Sequence, residues 1–476
     1  MRVRIALLLP ALSLVAALEA CSLAPEYRRA QAPVPPTLPA GEAYLPQPAE
    51  ALPSVSYSDL LRDPRLLELV ARALDNNRDL RIAAANIAEA RALVRVTRSA
   101  QFPQVAIGAS ADYAAQSGAN GQSYALQGGV ASYELDLFGG LRNATQAQRQ
   151  LALSTEASAQ AVRIALVADL ASVWLTYAAD RDLRAIAQDT ADNARRSVEL
   201  TRARLEGGIA PRTDLRQAEQ VLATAQGDLA QQSAALAEDV NLIQLIVGAP
   251  VDPALLPGGL AEIMDSVATL PAGTRSEVLL RRPDVMEAEF LLRAANADIG
   301  VARAALFPNI SLTGVLGLAS DALGSLLTGA ASGASVGAGA AQTIFDAGGR
   351  RANVEASEAR RDAALAAYER AIQTAFREVA DALATQGTII DRLDAAQRNT
   401  LAAADAAELT QARYRGGIES FLANLDAQRS LYAARREEVA ITLVALQNRV
   451  ELYRVLGSDA RLAAASDVLS TAPPPE

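Results

Sequence analysis

The chain has 476 residues, about three domains' length at roughly 150 residues each, and it is 51% hydrophobic but only 4% aromatic. It contains no histidine and a single cysteine, which excludes zinc or haem sites built on His or Cys ligands and any Ser-His-Asp or Cys-His nucleophile. A formal net charge of -10 argues against a nucleic-acid partner, because phosphate binding requires a basic face.

In chain order, Arg2 and Arg4 precede an uncharged apolar run from Ile5 to Leu18, then Leu18-Glu19-Ala20-Cys21. This pattern predicts a signal peptide over 1–20, and the run is too short to span a membrane as a helix. Cleavage before Cys21 with lipid on its sulfur accounts for the lone cysteine, and the segment resembles a bacterial lipoprotein signal, with Glu19 at a position that is usually small or apolar. Two or three acyl chains anchor a protein stably where one does not. From 21 to 53 the chain is an extended leader, with prolines at 25, 33, 35, 36, 39, 46, 48 and 53 and no helix expected inside it.

The remainder reads as two copies of one unit, 54–250 and 276–460, joined by a Pro- and Gly-rich linker at 251–275; 461–476 reads as a disordered tail. Asp79 recurs as Asp284 and Phe102-Pro103 as Phe307-Pro308, both shifted by 205. Gly139-Gly140 recurs as Gly348-Gly349, and Arg204-Leu205-Glu206-Gly207-Gly208-Ile209 as Arg413-Tyr414-Arg415-Gly416-Gly417-Ile418, both shifted by 209. Each copy opens with an Ala/Leu/Arg-rich helical stretch. Blocks rich in Gly, Ser and Ala follow, at about 104–135 and 309–345. There Val105, Ile107, Ala109, Ala111 and Tyr113 alternate with Gly108, Ser110 and Asp112, the period of a strand. Two strands per copy fit each block.

A helical hairpin then closes each copy, 144–247 with its tip near 207–214 and 352–457 with its tip near 416–421. No proline interrupts the stretches from Gly140 to Gly207 or from Gly349 to Gly416, each long enough for a helix on the order of 100 Å. Leu215, Leu222, Leu229, Leu236 and Ile243 fall seven apart in the first hairpin, as do Leu425, Tyr432, Val439, Leu446 and Tyr453 in the second. Such seams pack helix on helix. The Gly pairs turn the chain between the two long helices.

One chain thus offers four strands. Four strands cannot close a barrel, and an open sheet edge is not tolerated in lipid; three chains give twelve, an even number within the range of outer-membrane barrels. The expected fold is therefore mainly α with a transmembrane β-barrel, built as a homotrimer whose helices continue the tube as a coiled-coil α-barrel. Such a duct needs a constriction, and the hairpin tips are where it can narrow. Candidate gate residues are Arg212, Thr213 and Asp214 on the first tip, and Tyr414, Arg415, Glu419 and Asp426 on the second. Plainer readings stand beside these: Thr213 or Asp214 as helix N-cap after Pro211, Tyr414 as seam packing, Asp426 as a solvated charge. Gly207, Gly208, Ile209, Gly416, Gly417 and Ile418 are candidates for docking a partner, because an exposed Ile at a tight turn can be covered by a partner helix.

The run from Leu279 through Arg282-Pro283-Asp284 and Arg293-Ala294-Ala295-Asn296 to Leu306-Phe307-Pro308-Asn309 resembles the outer-membrane factors of tripartite efflux systems, TolC/OprM-like proteins of the NodT lipoprotein branch. So do Ile344-Phe345-Asp346-Ala347-Gly348-Gly349, Leu425-Asp426-Ala427-Gln428-Arg429 and Cys21-Ser22-Leu23-Ala24-Pro25. The resemblance implies a trimeric, lipid-anchored conduit of the outer membrane extending into the periplasm, without cofactor or catalysis. It also implies docking to a periplasmic adaptor (membrane fusion protein) and an inner-membrane RND-type pump. It further implies that a tyrosine and charges on the second tip bond to an aspartate on the first, a pattern matched by Thr213-Asp214 and Tyr414. Glu419 stands where some members carry Arg, which leaves Arg415 to substitute. The last strand lacks the Trp and Pro of many members, so the aromatic girdle falls to Phe102, Tyr113, Tyr124, Tyr133, Phe307 and Phe345. A conduit for type I protein secretion shares this architecture. A periplasmic coiled-coil scaffold predicts no strands, and an enzyme built on a carboxylate pair has no motif behind it.

Overall fold

The computed structural model describes residues 22–46, 56–116, 119–270, 273, 275–328, 331–457, 459 and 462, with the side chains of 114–116, 119 and 120 left aside. Cys21, the signal segment and most of the tail lie outside these. The elements run α1 (Tyr57–Leu60), α2 (Pro64–Asn76), α3 (Arg78–Ser99), β1 (Val105–Gln116), β2 (Ala119–Glu134), α4 (Gly140–Glu206) and α5 (Arg212–Val247). The second series is α6 (Pro283–Ala304), β3 (Asn309–Ser320), β4 (Ala331–Ala341), α7 (Gly349–Arg415) and α8 (Phe421–Leu456). Short 3-10 turns lie at Pro253–Leu255, Leu260–Glu262, Ser276–Arg281 and Leu323–Ser325. The two long helices have 67 residues each and the two returning helices 36 each. The described residues divide into two compact units: those of 22–32, 85–157 and 286–371, and those of 33–84, 158–285 and 372–462.

The first unit holds one antiparallel sheet in the order β1-β2-β3-β4. Its register brings Val105, Val130, Gly314 and Val336 into one cross-strand row, and Ile107, Gly128, Leu316 and Ala334 into another. Ala109, Leu126, Leu318 and Ser332 make a third row on the same face. The opposite face carries Gly108, Gln127, Gly317 and Gly333, then Ser110, Ala125, Ala319 and Ala331. Alternation has thus sorted apolar from small and polar side chains, yet the apolar face is uncovered: Ile107 is 81% exposed and Val336 91%. β1 and β4 each keep one unpaired edge, and all eleven residues of β4 are exposed. Below the strands Phe138 stacks on Phe307 with ring centroids 4.6 Å apart.

Residues 22–29 of the leader bond to this unit. Ser22 Oγ donates to Asn143 Oδ1 at 2.9 Å, and Asn296 donates to the Pro25 carbonyl at 2.7 Å. Tyr27, Arg29 and Arg293 all donate to the buried Glu289 carboxylate. Burial pushes the Glu289 carboxyl up, but the two guanidinium groups hold it below its ordinary value.

In the second unit α2 packs on the hairpins. Leu66, Leu69 and Val70 meet Leu170, Trp174 and Leu175 of α4, Ile243 and Val247 of α5, and Leu446, Val450 and Tyr453 of α8. Trp174 is fully buried and donates from Nε1 to the Leu255 carbonyl at 3.0 Å. The segment read as a linker is part of this core: Leu255, Leu256, Leu260, Ile263 and Val267 are buried in it. Its prolines and glycines place turns, while its apolar residues dock. Helix α4 contains an 18-residue window apolar enough to cross a membrane by composition, half of it buried inside the protein, and Ile164, Val167, Leu170, Ala171 and Ala178 of this helix lie inside this core.

The duplication is visible atom by atom. Asn77 Nδ2 donates to the Ile246 carbonyl at 2.8 Å, and Arg282 Nη1 donates to the Val455 carbonyl at 2.7 Å. The donors are related by the shift of 205 and the acceptors by 209. In both copies a left-handed glycine follows, Gly248 at φ 73° and Gly457 at φ 65°, lying against that donor residue or its neighbour. A side chain at the start of each copy therefore receives the orphan carbonyls at the end of its returning helix.

Candidate functional site at the hairpin tips

The tips are two copies of one turn. Ile209 N–H donates to the Arg204 carbonyl at 2.8 Å and Gly208 N–H to the Leu205 carbonyl at 2.9 Å. In the second tip Ile418 donates to Arg413 and Gly417 to Tyr414, each at 3.0 Å. This paired pattern closes a helix on a left-handed residue, and Gly208 at φ 72° and Gly417 at φ 75° supply it. Gly207 and Gly416, immediately before them, are exposed and end the long helices. The turns leave Ile209 78% exposed and Ile418 73% exposed, the two side chains marked by the sequence as coverable by a partner.

After the first turn, Pro211 occupies the N-cap of α5 and makes no side-chain cap bond. Thr213 and Asp214 therefore lie inside the first turn, which corrects their reading as caps. An aspartate there still favours the positive end of the helix dipole. After the second turn Ser420 caps α8, its side chain accepting from Ala423 N–H at 3.2 Å. Arg212 and Thr213 are exposed and Asp214 is half-exposed.

Tyr414 is the centre of the tip. It is buried among Val198, Leu215, Phe421 and Leu425, tilted against Phe421 at 5.6 Å between ring centroids. Its hydroxyl has no hydrogen-bond partner in the described structure, so the bond to Asp214 implied by the family pattern is not made within this chain. The Arg204 guanidinium lies over the Tyr414 ring, 4.5 Å from its centroid. Glu419 pairs at 3.2 Å with Arg413 of its own tip instead of reaching across. Arg415 is exposed, and its carbonyl accepts from Arg204 Nη2 at 3.2 Å. Asp426 is exposed, 3.9 Å from Arg429 one turn on. The structure thus brings Tyr414 and Arg415 together with Arg204, and leaves Thr213, Asp214 and Asp426 at the surface of the chain.

Between the two hairpins, below the tips, lies a cavity of about 380 Å³. Tyr432 on α8 donates to Asp228 on α5 across it at 2.8 Å. Burial, and then the Asp228 carboxylate, raise the Tyr432 hydroxyl above its ordinary pKa. Sequence reasoning placed Tyr432 in the seam but passed over Arg204, Asp228 and Phe421. Only the repeat comparison carries a signal for Arg204, which it aligns with Arg413.

The model of the family described as "Outer membrane efflux protein" matches residues 69–249 and 274–458, more than half of the chain. The toluene efflux pump outer membrane protein TtgC of Pseudomonas putida is 38% identical over 448 residues, covering 92% of each chain. The cation efflux system protein CusC of Escherichia coli O157:H7 is 36% identical over 445 residues, covering 93% of this chain and 96% of the relative. Among solved structures, the open state of the Neisseria gonorrhoeae MtrE outer membrane channel superposes with a TM-score of 0.81 at 31% identity, covering 92% of this chain and 98% of that one. Two tandem matches to one family model mirror the duplicated unit, and the likeness runs through both strands and hairpins. This chain therefore belongs to the outer membrane efflux protein family, with the fold of the TolC-like outer-membrane channels.

Proposed function

We propose that three copies of this chain close into one tube and serve as the exit duct of a tripartite efflux pump, conducting small molecules passively across the periplasm and outer membrane. The observation that carries this reading is the four-stranded sheet with an exposed apolar face and two unpaired edges. In lipid each free edge exposes unsatisfied backbone groups at several kcal/mol apiece. Joining β1 of one copy to β4 of the next satisfies them and makes a twelve-stranded barrel, apolar outside and small or polar inside. Strands of eleven to sixteen residues suffice for a crossing. Energy and choice of cargo then reside in an inner-membrane pump of the RND type, linked through a periplasmic adaptor that covers the exposed tip residues Ile209 and Ile418. The efflux names of the relatives favour this over export of polypeptides.

Deleting the gene is expected to sensitise cells to dyes, detergents and antibiotics, with resistance restored by the wild-type chain. Unchanged susceptibility across such a panel, with the adaptor and pump expressed, would rule the reading out. Lipidation at Cys21 belongs to the same proposal: metabolic labelling with palmitate should mark the wild-type chain and not Cys21→Ser, and equal labelling of both overturns it.

A further inference from the structure

Asp239 on α5 occupies a place where the hairpin seam favours an apolar side chain. The seam runs Leu215, Leu222, Leu229, Leu236 and Ile243, and three residues after each stand Ala218, Ala225, Gln232, Asp239 and Ile246. Position 239 is therefore a seam position of the returning helix. Antiparallel packing fixes its neighbour on α4. On the tip side Arg184 Nε donates to Ser233 Oγ at 3.3 Å; on the other side Leu175 and Ile243 belong to one core cluster. Between these contacts Asp180 lies within hydrogen-bonding reach of Asp239.

Two carboxylates offer acceptors only. Asp239 Oδ2 is buried with no hydrogen-bond partner among the described residues, so the contact lacks a donor until a proton is bound. Burial first, then the Asp180 carboxylate, push the Asp239 carboxyl up to about 6, and burial raises Asp180 as well. The surrounding charges do not relieve the pair. Glu238 on α5 adds to the repulsion. On α4, Arg181 acts on Asp182, which accepts from Leu260 N–H at 2.9 Å, and Arg184 is engaged with Ser233. Among the described residues no charge of the second hairpin or of 251–275 acts on either carboxyl.

The second copy fills the same two positions differently. With the hairpin shift of 209, Asp239 corresponds to Asn448 and Asp180 to Ile389. Asn448 is buried and donates from Nδ2 to the Ala382 carbonyl at 3.0 Å, while Ile389 lies in an apolar cluster with Ile441 and Ala445. One seam thus holds a group that carries its own donor, and the other a group that needs a proton to become one.

We propose that Asp180 and Asp239 share a single proton, which ties α4 to α5 and makes the first hairpin, but not the second, firmer in acid. Both carboxyls belong to one chain, so the shared proton does not depend on three chains closing into a duct. A carboxyl raised on folding contributes its stability below its ordinary range and loses it as pH rises through the raised value, here a window of about pH 4–6.

The test compares the full-length, detergent-solubilised protein with Asp239→Asn, which copies Asn448, and with Asp180→Asn, at about pH 4 and about pH 7. Either amide donates to the remaining carboxylate at both values. Across that interval the folding constant of wild type relative to each variant is expected to fall by roughly fiftyfold, read as denaturation midpoints that separate with rising pH. Hydrogen exchange, corrected for its intrinsic pH dependence, should slow in acid for the α5 amides around Asp239 and not for the α8 amides around Asn448. Midpoints that run parallel in all three proteins overturn the shared proton, and so does an equal acid response around Asp239 and Asn448. If both variants fail to fold, exchange in the wild-type chain decides by the same criterion.

Discussion

Arg282→Met is expected to lower the stability of the folded chain by about 3 kcal/mol, the lower end of the cost of stripping one partner from a buried ion set. The Arg282 side chain is 7% exposed and binds Asp284 and Glu378, each at 2.7 Å, as well as the Val455 carbonyl. Asp284 and Glu378 are 44% and 24% exposed, so water relieves part of the charge left behind. Methionine keeps the apolar stem on which Gly457 rests, so close that a Cβ at that glycine would come within 2.8 Å of Arg282 Cγ, and so isolates the loss of the guanidinium. Asn77→Ala at the equivalent place removes one neutral bond to the Ile246 carbonyl and one to Leu80 N–H, and should cost about 1–2 kcal/mol. Denaturation midpoints of the detergent-solubilised protein compare the two. A loss in Arg282→Met no greater than in Asn77→Ala would show that the charge network adds nothing to the carbonyl bond.

The contrast between Asn77 and Arg282 shows what a linear reading reaches. The repeat was legible because the folding signals of each unit are local: alternation in the strands, seven-residue spacing in the hairpins, a Gly pair at each turn. Strand faces followed from the same alternation, as Val105, Ile107 and Ala109 sharing one face demonstrates. The acceptors of Arg282 and Asn77 were not legible, because they lie 173 and 169 residues away and become neighbours only once the hairpins return. The segment 251–275 misled for a related reason. Proline and glycine report local turns, whereas the docking of Leu255, Leu260 and Ile263 depends on a surface made by other parts of the chain. At the tips, the turn and the exposed Ile209 and Ile418 were readable. The capping role of Thr213 or Asp214 was displaced by Pro211, since a fixed φ there suits the residue that enters the helix. Arg204 escaped notice because an arginine at a helix C-terminus has many uses, and only its partner's position selects one.

Asp214→Ala combined with Tyr414→Phe is expected to raise the ion conductance of reconstituted trimer while leaving the tip folded. Phenylalanine preserves the ring that packs against Phe421 and lies under Arg204, so the change removes the hydroxyl and little else. That hydroxyl is buried without a partner, an arrangement that costs about 1–3 kcal/mol, so Tyr414→Phe alone should leave stability unchanged or slightly higher. Asp214→Ala forfeits about 0.3–1 kcal/mol of helix-terminal electrostatics, too little to unfold a 36-residue helix. The contact at stake is therefore the one that the half-exposed Asp214 would make to a neighbouring protomer, worth only about 0–1 kcal/mol by itself. Three symmetric copies bring the sum to a few kcal/mol, enough to hold a two-state aperture mostly shut, and losing them shifts the open fraction by roughly ten- to a hundredfold. Conductance equal to wild type, in trimer with an unchanged melting midpoint, would mean that Asp214 and the Tyr414 hydroxyl do not hold the aperture, and the constriction would then have to be sought elsewhere on the tips.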